Sequence, residues 1–199
     1  MLENRLENRL IKILYNYNLI RDLRVVQQLH LPNWCIAAGY VRNGVWDYLH
    51  GYASPTPLSD VDVLYYDPAD LNEDTEKRYD QALKELLPEY NWSCKNQARM
   101  HLKNQAEPYL SVEDAMLRWP ETATAVGVSM DRYKRINVIA PHGLHDLFDL
   151  IIRRSPYCHD EECFRERVRS KNWLEIWPRL RMAESGPGEP GEQGERLKV

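Results

Sequence analysis

At 199 residues the chain is long enough to bury a core of its own and short enough to form one folded unit. A net charge of −4, with 28% charged and 43% hydrophobic residues, describes an ordinary globular protein and argues against one that coats nucleic acid, which needs a basic surface. There is no run of about 18 apolar residues and no signal-peptide pattern at the charged N-terminus, so neither a membrane span nor export is expected, and four scattered cysteines fit a reducing cytoplasm.

Leu6, Leu10, Ile13, Leu14 and Tyr17 recur at three- and four-residue steps, which predicts an amphipathic helix. A second helix is expected over 20–29, with Leu31-Pro32-Asn33 as its stop. Residues 34–67 then read as strand, glycine turn, helix, loop and strand. The first strand is the apolar run 34–38. Gly39 is expected to break it, because glycine reaches backbone conformations closed to other residues. Val41, Val45, Trp46 and Leu49 give a helix over 40–50. Pro55 and Pro57 hold a loop, and 61–66 is rich in strand formers.

Asp60 and Asp62 stand at the mouth of that second strand. Alternate strand residues share a face, so a strand beginning at Asp60 projects both carboxylates the same way. Two anions that close favour a cation between them, and Mg²⁺ (or Mn²⁺) takes carboxylates together with substrate phosphates. Asp-x-Asp is also ordinary turn chemistry. The helix upstream favours the metal reading: its N-terminus offers unpaired N–H groups and a positive dipole end. There Gly39 and Arg42 are expected to position phosphates, and Asn43 to orient the turn or a phosphate oxygen.

Residues 67–75 are an acidic loop, with Asp74 or Thr75 as the expected cap of a helix over 76–87. Residues 92–102 alternate like a strand. Lys95, Arg99 and His101 fall in one row, either lining a cleft as triphosphate ligands or studding an exposed edge. Ser111 and Asp114 resemble a capping box for a helix to about residue 119. A hairpin is expected from 123–129 and 132–140, with the hydroxyls of Thr122 and Thr124 as ordinary strand side chains. A helix over 145–153 and a basic amphipathic pair over 161–181 follow, the pair with Phe164, Val168, Trp173, Ile176, Trp177 and Leu180 facing inward. Residues 184–199 are Gly-, Glu- and Pro-rich, a composition that builds no core, so a disordered tail is expected.

Several of these blocks resemble a known family. Gly39-Tyr-Val-Arg42-Asn43 followed by Ser59-Asp60-Val-Asp62-Val is similar to the signature of the DNA polymerase β-type nucleotidyltransferase superfamily. More narrowly, AAGYVRNGVWDYLHGY, SDVDVLYYD, NQARMH, WPETATAVGV and APHGLHDLFDLIIR, in that order, resemble a bacterial nucleotidyltransferase-like family over about residues 10–177. The resemblance implies an α/β fold, a nucleotidyltransferase-like mixed β-sheet of about five strands flanked by helices. Length and composition lead to one domain over 1–183, with N-terminal helices 1–31, a core 32–154 and C-terminal helices 155–183, and the resemblance falls within it. The resemblance also implies Mg-dependent transfer of a nucleoside monophosphate from a nucleoside triphosphate to an acceptor that the sequence does not identify, with Asp60 and Asp62 as catalytic metal ligands. Two features depart from the superfamily pattern. Tyr40 stands where a second small residue is usual and is expected to crowd a triphosphate, and 92–102 carries no third carboxylate. They keep open a second reading, a catalytically inactive nucleotide- or protein-binding module on the same fold.

Overall fold

The computed structural model describes residues 2–104 and 106–183, so the expected tail 184–199 lies outside the described residues. The chain opens with helix α1 (Leu2–Leu14), a 3-10 turn (Tyr15–Tyr17) and helix α2 (Leu19–Gln27). Leu10, Ile13 and Leu14 of the first and Leu19, Leu23 and Val26 of the second are buried, as the spacing predicts.

The strands β1 (Cys35–Ala37), β2 (Val61–Tyr65), β3 (Trp92–Asn96), β4 (Gly127–Met130) and β5 (Ile136–Ile139) form one mixed sheet in the order β3-β2-β1-β4-β5. The β2–β3 pair is parallel and the other pairs are antiparallel. Around the sheet lie α3 (Gly39–His50), α4 (Glu73–Leu86), α5 (Gln97–Asn104), α6 (Val112–Leu117), α7 (His145–Phe148), α8 (Glu161–Ser170) and α9 (Trp173–Ile176). A separate parallel pair joins β6 (Ile151–Ile152) to β7 (Arg181–Met182). Parallel neighbours need a crossover, and α4 supplies it between β2 and β3.

Strand alternation divides the interior. Ile36, Val61 and Val63 join α3 and the N-terminal helices in a cluster that extends from Leu10 to Leu180. Cys35, Ala37 and Leu64 point the other way, under Val112 and Met116 of α6. No described helix is long and apolar enough to cross a membrane.

Four expectations are corrected. The stretch 92–102 is a strand only to Asn96. The Asn96 carboxamide accepts from the N–H groups of Asp67 (3.0 Å) and Ala98 (3.1 Å) and donates to the carbonyls of Asp67 and Asp70, which ends β3 and starts α5. Helix α4 is capped by Asn72, which accepts from Asp74 N–H at 2.9 Å, rather than by Asp74 or Thr75. The hairpin strand starts at Gly127, because residues 121–126 are taken up by turns such as Ala125 N–H to Glu121 C=O. The helix expected over 145–153 stops at Phe148: Leu150 adopts φ 58°, and the chain then pairs as β6. The cap at Ser111 is as predicted, accepting from Asp114 N–H at 3.0 Å.

Candidate active site

The turn between β1 and α3 shapes the site. Its left-handed residue is Ala38 (φ 55°), not Gly39, which already belongs to the helix. Ala38 is held there by its N–H to the Val126 carbonyl (3.1 Å) and by its own carbonyl accepting from Arg42 N–H (2.9 Å). Gly39 borders the cleft, and a Cβ there would make ordinary contacts, 3.7 Å from Arg42 Nη2 and 4.0 Å from Asn43 Oδ1.

That cleft encloses about 250 Å³. Ala38, Gly39, Arg42 and Asn43 form one wall, Ser59, Asp60 and Asp62 a second, and Thr124, Arg167, Lys171 and Trp173 the rest. Asp62 lies opposite Ala37 in the β1–β2 register, which sets it beside the turn. Asp60 precedes the strand proper and accepts from Ser59 Oγ at 2.7 Å. The two carboxylates border one cavity, although β2 begins at Val61, one residue later than the shared-face expectation takes it. Burial, and then the charge of Asp60, push the Asp62 carboxyl up to about 6, against the opposing pull of Lys95, Arg42 and Lys171.

Arg42 is buried and fixed. Its Nη1 donates to Thr124 Oγ1 and its Nη2 to Asn43 Oδ1, both at 2.9 Å. The guanidinium carbon lies 4.4 Å from the Trp173 ring centroid and 5.1 Å from that of Trp46. Burial pulls its pKa down to about 10, which leaves it cationic at neutral pH, and its buried Nε has no partner among the described residues.

The C-terminal helices deliver the remaining cations. Trp46 packs edge-on against Trp173 (5.7 Å) and Trp177 (5.1 Å), and Trp177 Nε1 donates to Asp47 Oδ1 at 2.7 Å. With α9 docked on α3, Arg167 and Lys171 reach the cleft, Arg167 also pairing with buried Glu121 at 2.6 Å. Arg167, Lys171 and Trp173 were not among the expected site residues. Their signal was present as a basic pair four residues apart beside an apolar face, but nothing in the sequence said which sheet edge that helix meets. Thr124, expected to be an ordinary strand hydroxyl, holds Arg42 instead.

Two expectations about neighbours are corrected. Tyr40 does not crowd the cleft: it is buried and donates to Asp22 Oδ2 at 2.8 Å, on the wall of a different cavity. Lys95, Arg99 and His101 do not share a row and none borders the cleft. Arg99 sits on α5 and pairs with Glu76 at 2.8 Å; Lys95 lies 3.8 Å from the same carboxylate; His101 packs edge-on against Tyr109. Lys95 does share the sheet face of Asp62, through the pairs Asp62–Ser93 and Leu64–Lys95, and acts on it only through its charge.

The donor set suits a hard divalent cation. Two carboxylates border one cavity, and burial, followed by the charge of Asp60, raises the Asp62 carboxyl to about 6, a situation that a cation relieves. Mg²⁺ commonly takes one or two protein carboxylates and completes its shell with phosphates and water. Among the described residues no group of three or more His, Cys, Asp or Glu is arranged as a metal site, so a third carboxylate is not part of this set.

A family model described as nucleotidyltransferase matches residues 24–182. An NMR structure reported to reveal a CCA-adding enzyme head domain is 30% identical, covering 86% of this chain and 94% of that one, with a TM-score of 0.75. The Thermotoga maritima CCA-adding enzyme complexed with tRNA is 17% identical over 84% of this chain and 39% of its own, with a TM-score of 0.52. A CCA-adding enzyme with CTP is 14% identical over 89% and 43%, with a TM-score of 0.55. The chain thus spans nearly all of the first structure but less than half of the two longer enzymes, which share its fold. No curated protein matches the chain in sequence. The comparisons give no support to the reading against nucleic acid drawn from net charge alone.

Proposed function

We infer, from the premise that this chain belongs to the nucleotidyltransferase family, that it transfers a nucleoside monophosphate from a nucleoside triphosphate to an acceptor hydroxyl. The observation that carries the reading is that Asp60 and Asp62 border the same cleft as Gly39, Arg42, Arg167 and Lys171. Two acids for a metal and three cations for phosphate face one small volume.

Asp60 and Asp62 would hold Mg²⁺ (or Mn²⁺), which would neutralise phosphate charge and polarise a phosphoryl oxygen. The chain's own residues do the rest. Gly39 borders the cleft at the α3 N-terminus, where a phosphate meets unpaired N–H groups. Arg42 is already oriented by Thr124 and Asn43 and stacked on Trp173, so little is spent ordering it when phosphate arrives. Lys171 and Arg167 approach from the opposite wall and offset the charge of the leaving group. In the step itself the acceptor oxygen bonds to the α-phosphorus. The bond from that phosphorus to its bridging oxygen breaks, pyrophosphate departs with the electron pair, and the hydroxyl proton passes to water.

Incubating the chain with each labelled nucleoside triphosphate, Mg²⁺ and a cell extract tests this reading. Pyrophosphate release with label on an acceptor is expected. Mg²⁺-dependent nucleotide binding with no pyrophosphate would instead favour the inactive binding module, and release of inorganic phosphate would indicate a phosphohydrolase.

A further inference from the structure

A second cavity of about 730 Å³ adjoins the cleft, and Asn43 and Leu58 border both. The cleft, at about 250 Å³, is below the usual ligand-pocket range of ~300–1,000 Å³, whereas the larger chamber falls within it. The two differ in chemistry. The cleft presents Arg42, Arg167 and Lys171, while no Lys, Arg or His borders the chamber.

Five tyrosines border the chamber: Tyr17, Tyr40, Tyr48, Tyr52 and Tyr90. Behind them stands an uncompensated charge. Asp47 is 1% exposed and forms no ion pair among the described residues. Its oxygens are held by Thr56 N–H (2.7 Å), Thr56 Oγ1 (2.6 Å) and Trp177 Nε1 (2.7 Å), all neutral donors. Its negative field reaches Tyr17: burial, and then Asp47, raise that phenol above its ordinary value. Glu89, the other carboxylate of the lining, is paired with Arg21 at 2.7 Å. Asn43 links the two volumes. It is 8% exposed, its Oδ1 is committed to Arg42, and its amide nitrogen has no acceptor among the described residues.

We propose that this chamber seats the acceptor, and that the acceptor is a small organic cation carrying a hydroxyl. Aromatic faces around a site with net negative charge bind ammonium groups and repel phosphates. A triphosphate therefore stays in the cleft and the cation in the chamber, with the unpaired Asn43 amide positioned at the junction to receive the acceptor's hydroxyl oxygen. The inference rests on the transferase reading for the word acceptor, while the chamber's preference for cations stands on its own lining.

The test separates the two. The full chain is titrated with choline, tyramine and 2-deoxystreptamine, and in parallel with 3,3-dimethyl-1-butanol (the uncharged isostere of choline), cytidine and adenosine, followed by NMR or calorimetry. The same titrations are run on Ala53→Trp, which places an indole in the chamber from an exposed loop position. At least one of the three cations is expected to bind, choline at least tenfold more tightly than its isostere if choline is that cation, and Ala53→Trp is expected to weaken the binding at least tenfold. Binding by none of the cations, equal binding by Ala53→Trp, or binding of the nucleosides in their place would overturn the proposal. Pyrophosphate turnover with labelled tRNA as the product would overturn it too while leaving the transferase reading intact, and cation binding without any turnover would do the reverse.

Discussion

The Tyr40 hydroxyl donates to Asp22 Oδ2 at 2.8 Å, tying the first turn of α3 to α2 behind the cleft. Asp22 is fully buried and also accepts from Tyr90 (3.0 Å) and Arg21 (2.8 Å). Tyr40→Phe leaves one acceptor position of a buried carboxylate unfilled. It is expected to lower stability by about 1–3 kcal/mol in urea unfolding while leaving nucleotide affinity in the cleft unchanged. A large loss of nucleotide affinity with little loss of stability would mean that the phenol faces the triphosphate after all.

β1 and β4 approach closely enough that position 127 has no room for a side chain. A Cβ on Gly127 would lie 2.7 Å from Cys35 Sγ. Gly127→Ala is expected to destabilise by roughly 1–3 kcal/mol, and the added change Cys35→Ala to recover most of it. If the two effects simply add, the contact does not set the strand spacing.

Much of this was legible from the chain alone. The strand–turn–helix–loop–strand order, the acidic pair and the inward aromatic face of the C-terminal helices follow from periodicity, because the period of an apolar pattern is a local property. What the sequence did not reveal depends on contacts between distant segments. Residues 97–102 alternate well enough for a strand, yet the Asn96 carboxamide binds the backbone on both sides of the break and turns the chain into α5. In the sequence Tyr40 looks like an obstacle, because its partner, Asp22, lies 18 positions upstream. Arg167 and Lys171 joined the site only through the packing of Trp173 and Trp177 on Trp46.

Lys171 is exposed, borders the cleft and makes no ion pair among the described residues. Lys171→Ala is expected to preserve the fold and to raise the dissociation constant for nucleoside triphosphate roughly tenfold, the scale of one charge-assisted contact. The difference from the parent chain should shrink as salt is added. An unchanged constant at low salt would remove Lys171 from the phosphate wall.

Asp62 has a folded pKa of about 6 against 3.8 for the ordinary carboxyl. The folded chain therefore holds this proton more tightly than the unfolded one. In metal-free protein its contribution to stability is complete below the ordinary value and is lost as pH rises through about 6. With EDTA present, the urea midpoint of the parent chain is expected to fall over that window, less so in Asp62→Asn, and Mg²⁺ is expected to restore it. Identical pH profiles for the two chains would contradict the shared acidic cleft.

The most direct measurement is pyrophosphate release by Asp62→Asn, alongside the parent chain, with nucleoside triphosphate, Mg²⁺ and an acceptor-containing extract. Asparagine keeps the shape and removes the charge, so circular dichroism should be unaltered while release drops on the order of 10²–10³-fold. A folded Asp62→Asn chain that releases pyrophosphate at the parent rate would contradict a metal-assisted transfer at this acidic pair.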